Sequence, residues 1–328
     1  VGCLRVGQAA NAVALAGHCR SAAVALQNHT LQIWDLEAGR ALRTLAGHRS
    51  WVNHVAFSPD SVALASASAD KSIRIWDTLS GECRAVLEGH QLSVASVGWS
   101  PDGARLASGS WDANVCIWDV AQANVVCLLS GHADWVHSVA WAPSGGRVAS
   151  ASSDLCVRVW GAETGAPEQV LVGHLQTLSC VCFDHSGVFL ASGSLDSCVR
   201  VWNVEEAALA ARKAGAPHDA PVHCAEFSPD GARVIFGSAD GTVSTWNFQT
   251  GEQEVRLGGH QGAVLGIRAG ALLDTATFCA VSCGRDGTLR LWRLPAGAEA
   301  RAAPASPAQD LRAALHASGA LNRQLRRR

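Results

Sequence analysis

Seven tryptophans recur along this chain of 328 residues, at spacings of 42, 42, 42, 42, 44 and 46 residues. Each of them closes a short run of alternating apolar and polar side chains, and they are Trp34, Trp76, Trp118, Trp160, Trp202, Trp246 and Trp292. A fixed period of about 20 to 50 residues is the signature of a repeat architecture. The chain must therefore build its fold from seven similar units, not from one irregular core.

Three other residue types keep a fixed distance from these tryptophans. Six residues before each stand Asn28, Asp70, Asp112, Asp154, Asp196, Asp240 and Asp286. Eight residues before five of them stand Ser68, Ser110, Ser152, Ser194 and Ser238. Twenty-eight residues before five of them stand His48, His90, His132, His174 and His218, while His260 precedes Trp292 by 32 residues because of an insertion around residues 269–277.

Between these markers each unit has the pattern of strands joined by tight turns. In the second unit, apolar residues 55–57 lead into Ser58-Pro59-Asp60, and residues 64–68 and 73–76 form two further short runs. Proline and aspartate favour turns, because the proline ring presets φ and the carboxylate bonds to the nearby backbone. Short strands with turn signals every 8 to 12 residues or so predict an all-β fold.

This pattern resembles the WD40-repeat family, whose unit runs from a Gly-His pair to a Trp-Asp pair and whose fold is a β-propeller of four-stranded blades. Here the pairs are Gly47-His48 with Trp76-Asp77, Gly89-His90 with Trp118-Asp119, Gly131-His132 with Trp160, Gly173-His174 with Trp202, and Gly259-His260 with Trp292. The resemblance covers residues 1–294 and implies a seven-bladed propeller. The departures from the motif are Gly161, Asn203, Pro217, Asn247, Gly284 and Arg293.

The first unit is degenerate. Counted back from Trp34, its histidine position holds Val6 and its aspartate position holds Asn28. We therefore expect blade 1 to lack the hydrogen-bonding set of the other blades. In the resembling family the outer strand of the last blade comes from the opposite end of the chain, and residues 1–5 allow only a short strand of this kind.

The recurring polar residues match the types of a hydrolase triad, as in His48, Ser68 and Asp70. A catalytic site is not built five times around one ring, so we interpret them as structural. The resemblance implies a buried chain of hydrogen bonds from Trp through Ser or Asp to His in each blade. We assign to it His48, Ser68, Asp70 and Trp76; His90, Ser110, Asp112 and Trp118; His132, Ser152, Asp154 and Trp160; His174, Ser194, Asp196 and Trp202; His218, Ser238, Asp240 and Trp246; and His260, Asp286 and Trp292.

Cofactor and metal sites are not expected. The twelve cysteines and thirteen histidines contain no C-x-x-C pair, and six of the histidines belong to the repeat. Cys156, Cys198, Cys116 and the pair Cys180-x-Cys182 fall within strands, where small buried apolar residues are expected. The phosphate-binding, dinucleotide-binding, zinc-protease and G-x-S-x-G hydrolase motifs do not occur in the sequence. We therefore predict a protein that is not an enzyme.

Aromatic residues that the repeat does not require indicate a contact surface. Trp51 and Trp135 lie three residues after a motif histidine, and Trp111 directly precedes a motif aspartate. By resemblance, these positions open onto the narrower, top face of a propeller, and tryptophan is enriched at binding hot spots. We predict one patch of Trp51, Trp111 and Trp135, with a polar edge of Asn53, His137, His223 and Arg285. The alternative is that Trp51 and Trp135 only pack against neighbouring blades.

Charge and composition limit the class of partner. With 26 Lys and Arg against 28 Asp and Glu, the net charge of −2 gives no reason to expect nucleic-acid binding by the propeller. No apolar run reaches the 18 or so residues of a membrane-spanning helix. The cysteine pattern favours a reducing compartment, the cytoplasm or the nucleus. Residues 295–328 form a basic Ala, Pro and Arg-rich extension, either flexible or with a short helix beginning at Ser306.

These observations predict a scaffold that binds other proteins or peptides through the top face of the propeller. A first alternative is the propeller portion of a larger multidomain protein, with RNA-associated or nucleotide-switch domains elsewhere. A second is a substrate receptor of a cullin-type ubiquitin ligase. Many such receptors carry W-D-x-R at a blade end, whereas the corresponding residues here are 34–37, 76–79 and 118–121, with no arginine in place.

Overall fold

The computed structural model describes residues 2–209, 216–217, 219–271 and 277–295. Within these ranges the chain forms strands and turns only, as the sequence predicts. None of the described residues belongs to a helix that is long and apolar enough to cross a membrane. His218 and the extension beyond residue 295 lie outside the described residues, as does the helix start predicted at Ser306.

The described strands form seven antiparallel sheets, which are the blades of a propeller. In chain order the strands are β1 (Gly2–Arg5), β2 (Ala10–Leu15), β3 (Ser21–Leu26), β4 (Thr30–Asp35), β5 (Arg40–Ala46), β6 (Val52–Phe57), β7 (Ala63–Ser68), β8 (Ser72–Asp77), β9 (Cys83–Glu88), β10 (Val94–Trp99), β11 (Arg105–Ser110), β12 (Asn114–Asp119), β13 (Asn124–Ser130), β14 (Val136–Trp141), β15 (Arg147–Ser152), β16 (Cys156–Gly161), β17 (Pro167–Val172), β18 (Leu178–Phe183), β19 (Phe189–Ser194), β20 (Cys198–Asn203), β21 (Ala208–Leu209), β22 (Ala216–Pro217), β23 (Val222–Phe227), β24 (Arg233–Ser238), β25 (Val243–Asn247), β26 (Glu252–Leu257), β27 (Val264–Ala271), β28 (Thr277–Gly284) and β29 (Thr288–Pro295).

The seven blades follow one another along the chain. Blades 1 to 4 consist of β2–β5, β6–β9, β10–β13 and β14–β17, and blades 5 and 6 of β18–β22 and β23–β26. Blade 7 combines β27–β29 with β1 as its outer strand. The insertion in the last unit lengthens β27 and β28 to eight residues each, where the corresponding strands of blades 1 to 6 have six.

The turn between the second and third strand of a blade repeats one backbone conformation. In blade 2, Lys71 has a positive φ of 73°, and Ala113, Leu155 and Ser197 have φ of 65–68° at the equivalent positions. Left-handed backbone is unfavourable for residues with a Cβ atom. The preceding aspartate compensates, because Asp70 Oδ1 accepts a hydrogen bond from the backbone N–H of Ser72 at 3.0 Å. The repeated aspartate therefore shapes this turn besides bonding to histidine.

The hydrophobic core lies between successive blades. Ala23 and Leu31 of blade 1 pack with Val55, Leu64 and Trp76 of blade 2 in one buried cluster, and the same arrangement continues around the ring. Small residues in the second strand allow this close approach. A Cβ atom on Gly109 of β11 would lie 2.6 Å from Val136 of the next blade.

The ring closes where the two ends of the described chain meet. β1 pairs antiparallel with β29, with Gly2 opposite Leu291 and Arg5 opposite Thr288. Leu4 of β1 then joins a buried cluster that contains residues of both blade 1 and blade 7. The predicted short outer strand is thus formed by four residues.

Candidate functional site

A chain of hydrogen bonds runs through blade 2 from its tryptophan to its aspartate. Trp76 Nε1 donates to Ser66 Oγ at 2.8 Å, and Ser66 Oγ lies 2.7 Å from His48 Nε2. His48 Nδ1 lies 2.9 Å from Asp70 Oδ2. Since an ionised carboxylate only accepts, Nδ1 carries the histidine proton, and Ser66 donates to Nε2. Every donor in the chain therefore has an acceptor.

The same chain occurs in four further blades, with hydrogen-bond distances of 2.7–3.0 Å. Its members are His90, Ser108, Asp112 and Trp118 in blade 3; His132, Ser150, Asp154 and Trp160 in blade 4; His174, Ser192, Asp196 and Trp202 in blade 5; and His260, Ser282, Asp286 and Trp292 in blade 7. In blade 6, Phe236 takes the place of this serine.

The serine of this chain is not the one that the sequence predicted. Leu64 of β7 stands opposite Trp76, so the diagonal neighbour on the same sheet face is Ser66, ten residues before the tryptophan. Ser68 lies a further two residues along the strand, beyond reach of the indole. The predicted Ser68, Ser110, Ser152, Ser194 and Ser238, eight residues before each tryptophan, are therefore corrected to a different role.

These predicted serines hold the loops of the top face. Ser68 Oγ donates to the backbone carbonyl of Trp51 at 3.0 Å and accepts from the backbone N–H of Asp70. Ser110 makes the equivalent bond to the carbonyl of Ser93, and Ser152 and Ser194 donate to the carbonyls of Asp134 and Gln176, one residue earlier in the same loop. Ser238 bonds to Asp240 instead. The serine eight residues before the tryptophan thus fixes the segment that carries Trp51 or Trp135.

The histidines of the chains are buried, and each lies against the partly buried carboxylate of an aspartate. Burial lowers the pKa of His90, His174 and His260 below the ordinary value of 6.5, more than their aspartate partners raise it. Burial alone would raise the pKa of Asp154, but hydrogen bonds from His132 and from backbone amides lower it to about 2. A lowered histidine pKa and a lowered aspartate pKa are what a neutral imidazole that donates to an ionised carboxylate produces. The five copies of this arrangement brace the strands of their blades.

The exposed tryptophans lie at the top face, where the serine-held loops meet the turns between the second and third strands. Trp111 and Trp135 stack, with ring centroids 4.6 Å apart and planes inclined by 12°. They belong to adjacent blades 3 and 4, and remain 37% and 45% exposed. Offset stacking of this kind is favourable for aromatic pairs. The pair offers a flat aromatic surface across a blade boundary.

Trp51 stands apart from this pair. It is 54% exposed in blade 2, and in the part of the chain that the structure describes it makes no ring contact with Trp111 or Trp135. The positions of blades 2 and 3 that correspond to the stacked pair hold Ala69 and Ser93, which are too small to bridge the gap. The structure therefore brings two of the three predicted anchors together and leaves the third separate.

Two of the predicted edge residues, Asn53 and His137, make contacts within the propeller. The Asn53 side-chain amide donates to Ser93 Oγ at 3.0 Å and to the carbonyl of Val94 at 2.9 Å, which ties blade 2 to blade 3. His137 Nε2 lies 2.8 Å from Ser153 Oγ, and its ring packs edge-on against Trp135. Burial lowers the pKa of His137. Both residues therefore support the top face through contacts within the propeller.

The other two predicted edge residues lie on a different part of the ring. His223 is half-buried in blade 6, and its pKa is lowered by burial and then by the positive charge of Arg285. Arg285 is exposed in blade 7 and lines a separate pocket. Because the stacked pair belongs to blades 3 and 4, these two residues do not frame it.

Exposed apolar side chains concentrate on one part of the molecule. All exposed large hydrophobic residues of the described chain fall between Leu42 and Leu175. Those on the top face, which we call the apolar face, are Trp51, Leu92, Trp111, Trp135, Leu155 and Leu175. Sequence reasoning missed the three leucines. A signal was present, because Leu92 and Leu175 follow motif histidines at positions where other units carry polar or small residues.

Metal binding finds no support in the described ranges, where no three His, Cys, Asp or Glu side chains come together as ligands.

Comparison with known proteins gives one family. The family model described as WD domain, G-beta repeat matches residues 39–77, 81–119, 123–161, 165–203, 215–247 and 251–293. The chain is 44% identical over 46 residues to apoptotic protease-activating factor 1 of Danio rerio, which is 14% of this chain and 4% of that protein. It is 46% identical over 46 residues to human WD repeat and SOCS box-containing protein 1, or 14% and 11% of the two chains. It is 45% identical over 40 residues to nuclear distribution protein PAC1 of Mycosarcoma maydis, or 12% and 9%.

Proposed function

This chain belongs to the WD40-repeat family, and from that premise we propose that it is a non-enzymatic scaffold that binds other proteins through the apolar face of blades 2 to 5. WD40 propellers generally bind other proteins, and their fold is typically not enzymatic. The chain spans about a tenth or less of the length of the relatives named above. The exposed side chains of the top face, and not the activities of those proteins, therefore support this function.

The stacked and exposed pair of Trp111 and Trp135 supports the proposal most directly. Two indoles that face solvent cost free energy unless another surface covers them, and a contiguous exposed apolar patch is typical of interaction sites. Leu155 of blade 4 and Leu175 of blade 5 add exposed apolar area on the same face. A partner with aromatic or aliphatic side chains would bury this surface.

The backbone hydrogen bonds of the blades reduce the conformational entropy that such binding would lose. Trp135 lies in a loop whose carbonyl accepts from the backbone N–H of Ser153, and Trp111 donates its own backbone N–H to Ser93. Both indoles are therefore held before a partner arrives. A preformed surface loses less conformational entropy on binding than a flexible one.

The test is affinity capture from cells with the intact chain and with a Trp51→Ala, Trp111→Ala, Trp135→Ala variant. Leu79→Ala is the matched control, because Leu79 is 77% exposed but lies in the turn after β8, on the opposite face. We expect the triple variant to lose stable partners at an unchanged midpoint of thermal unfolding, while the control keeps them. Recovery of the same proteins by all three chains would exclude the apolar face as the binding surface.

A further inference from the structure

A pocket of about 600 Å³ opens at the top of the seam where the ring closes. Its wall consists of the β1 strand end and the loop to β2, including Arg5 and Gln8, and of the turn between β28 and β29, including Arg285 and Asp286. Gln261 and Arg290 complete it. This pocket is distinct from the apolar face, which lies on blades 2 to 5.

The pocket carries an excess of positive charge. Three guanidinium groups line it, those of Arg5, Arg285 and Arg290, against the single carboxylate of Asp286. That carboxylate is already occupied, since it accepts from His260 Nδ1, from the backbone N–H of Gln261 and from Thr288. The lining therefore has a net charge of about +2 at neutral pH, in a chain whose total charge is −2.

Some arginines elsewhere on the described surface are neutralised by close carboxylates. Arg105 pairs with Glu163 at 2.7 Å, and Arg147 pairs with Glu168 at 2.7 Å. Within the described residues, the three arginines of the pocket form no ion pair of this kind. Arg290 shares its place in the repeat with Arg74, Arg158 and Arg200, and at the seam two further arginines line the same pocket.

We propose that this pocket binds a phosphate group. A phosphate monoester carries a charge of about −1.5 to −2 at pH 7 and three acceptor oxygens, which match the charge and the three guanidinium groups of the lining. Arginine binds such oxygens through paired N–H donors. A carboxylate carries about half that charge and would leave about half of the excess unbalanced. The volume leaves room for the group that bears the phosphate, either a phosphorylated side chain or a small phosphorylated metabolite.

Isothermal titration calorimetry of the full chain at low ionic strength tests the proposal with inorganic phosphate as the first probe. We expect saturable binding that weakens by about tenfold or more in Arg5→Gln and in Arg285→Gln, because each loses hydrogen bonds to a charged group. Both residues are exposed, so the fold is expected to tolerate the changes. Arg49→Gln is the matched control, since Arg49 is an exposed arginine in the top loop of blade 2.

Two further probes separate the sources of the phosphate. A capped phosphoserine peptide that binds more tightly than glucose 6-phosphate indicates a phosphorylated protein, and the reverse order indicates a metabolite. Equal binding of aspartate and phosphoserine, or no heat with phosphate at about 10 mM, would overturn the proposal. The inference does not rest on the apolar face: Trp111→Ala and Trp135→Ala are expected to leave phosphate binding unchanged.

Discussion

Blades 1 and 2 have the same four-strand topology and the same tryptophan position, but the space beneath the indole is filled in different ways. In blade 2 His48 and Ser66 connect Trp76 to Asp70 by hydrogen bonds. In blade 1 the equivalent positions hold Val6 and Val24, which pack with Trp34 in one buried cluster. Trp34 Nε1 instead donates to the side chain of Gln32 at 2.9 Å.

The difference shows that the polar chain is replaced as a set. Removing one partner of a buried hydrogen bond leaves the other unsatisfied, whereas replacing both with apolar groups of similar shape costs little. Val6 and Val24 together achieve such a replacement. The hydrogen-bonded set is therefore one of two ways to fill the space beneath the indole. Its main effect on stability is the free energy lost when a single residue of the set is removed and its partner stays buried without a hydrogen bond.

The largest expected difference between the two kinds of blade is in their response to acid. Burial holds the pKa of His90, His174 and His260 below 6.5, so the unfolded chain binds protons more readily, and the free energy of unfolding falls as the pH drops below about 6.5. Asp154, with its pKa lowered from 3.8 to about 2, adds a second loss between those values. Urea unfolding at pH 7, 5 and 4 measures the first loss.

A variant sharpens this test by making blade 3 resemble blade 1. His90→Val combined with Ser108→Val removes a titrating histidine, so its free energy of unfolding should depend less on pH than that of the unaltered chain. An equal slope between pH 7 and 5 in both proteins would show that the histidine chains do not cause the acid response.

The next largest effect concerns the serine that the structure identifies. Ser66→Ala leaves both the Trp76 N–H and the His48 Nε2 without a partner in a buried site, so we expect a loss of about 3 kcal/mol in the free energy of unfolding. Ser68→Ala changes a loop contact and should cost about 1 kcal/mol. Chemical denaturation of both variants measures the difference, and an equal loss would contradict the assignment of Ser66.

The counterpart in blade 1 is Val24→Thr, which introduces a hydroxyl of nearly the same shape. Because no histidine lies opposite, the hydroxyl is buried without its partner, and we expect a loss of about 1–2 kcal/mol. A stabilising or neutral result in the same denaturation experiment would mean that blade 1 tolerates isolated polar groups.

The smallest expected effect compares the two indoles. Trp76→Phe removes a buried hydrogen bond to Ser66, and Trp34→Phe removes one to the partly exposed Gln32, which can bond to water instead. We expect Trp76→Phe to cost about 1 kcal/mol more than Trp34→Phe. Thermal unfolding of the two variants side by side measures this, and a larger loss for Trp34→Phe would reverse the comparison.

The repeat pattern was sufficient to predict the architecture, because seven tryptophans at six nearly equal spacings, with turn residues at fixed positions, determine blade number and strand order. It did not identify the bonding serine. Both Ser66 and Ser68 recur, and only the diagonal contact across the β7–β8 pair distinguishes them. The last unit held a clue, since it has Ser282 ten residues before Trp292 but Gly284 at the position of Ser68.

The top face was predictable only in part. Exposure of Trp51, Trp111 and Trp135 follows from their departure from the repeat, which a single sequence reveals. The stacking of Trp111 on Trp135 depends on how blade 3 packs against blade 4. The hydrogen bond from the Asn53 amide to Ser93 depends on how blade 2 packs against blade 3. The spacing of residues within one repeat gives no information on the contacts between neighbouring blades.

The pairing of β1 with β29 also constrains the order in which the molecule can assemble. Arg5 and its partner Thr288 are separated by about 280 residues of chain. At a ribosomal rate of roughly 5–20 residues per second, the first strand waits on the order of half a minute before its partner has been synthesised. Until then blades 1 to 6 can form in succession as an open arc, and the pairing of β1 with β29 closes it into a ring.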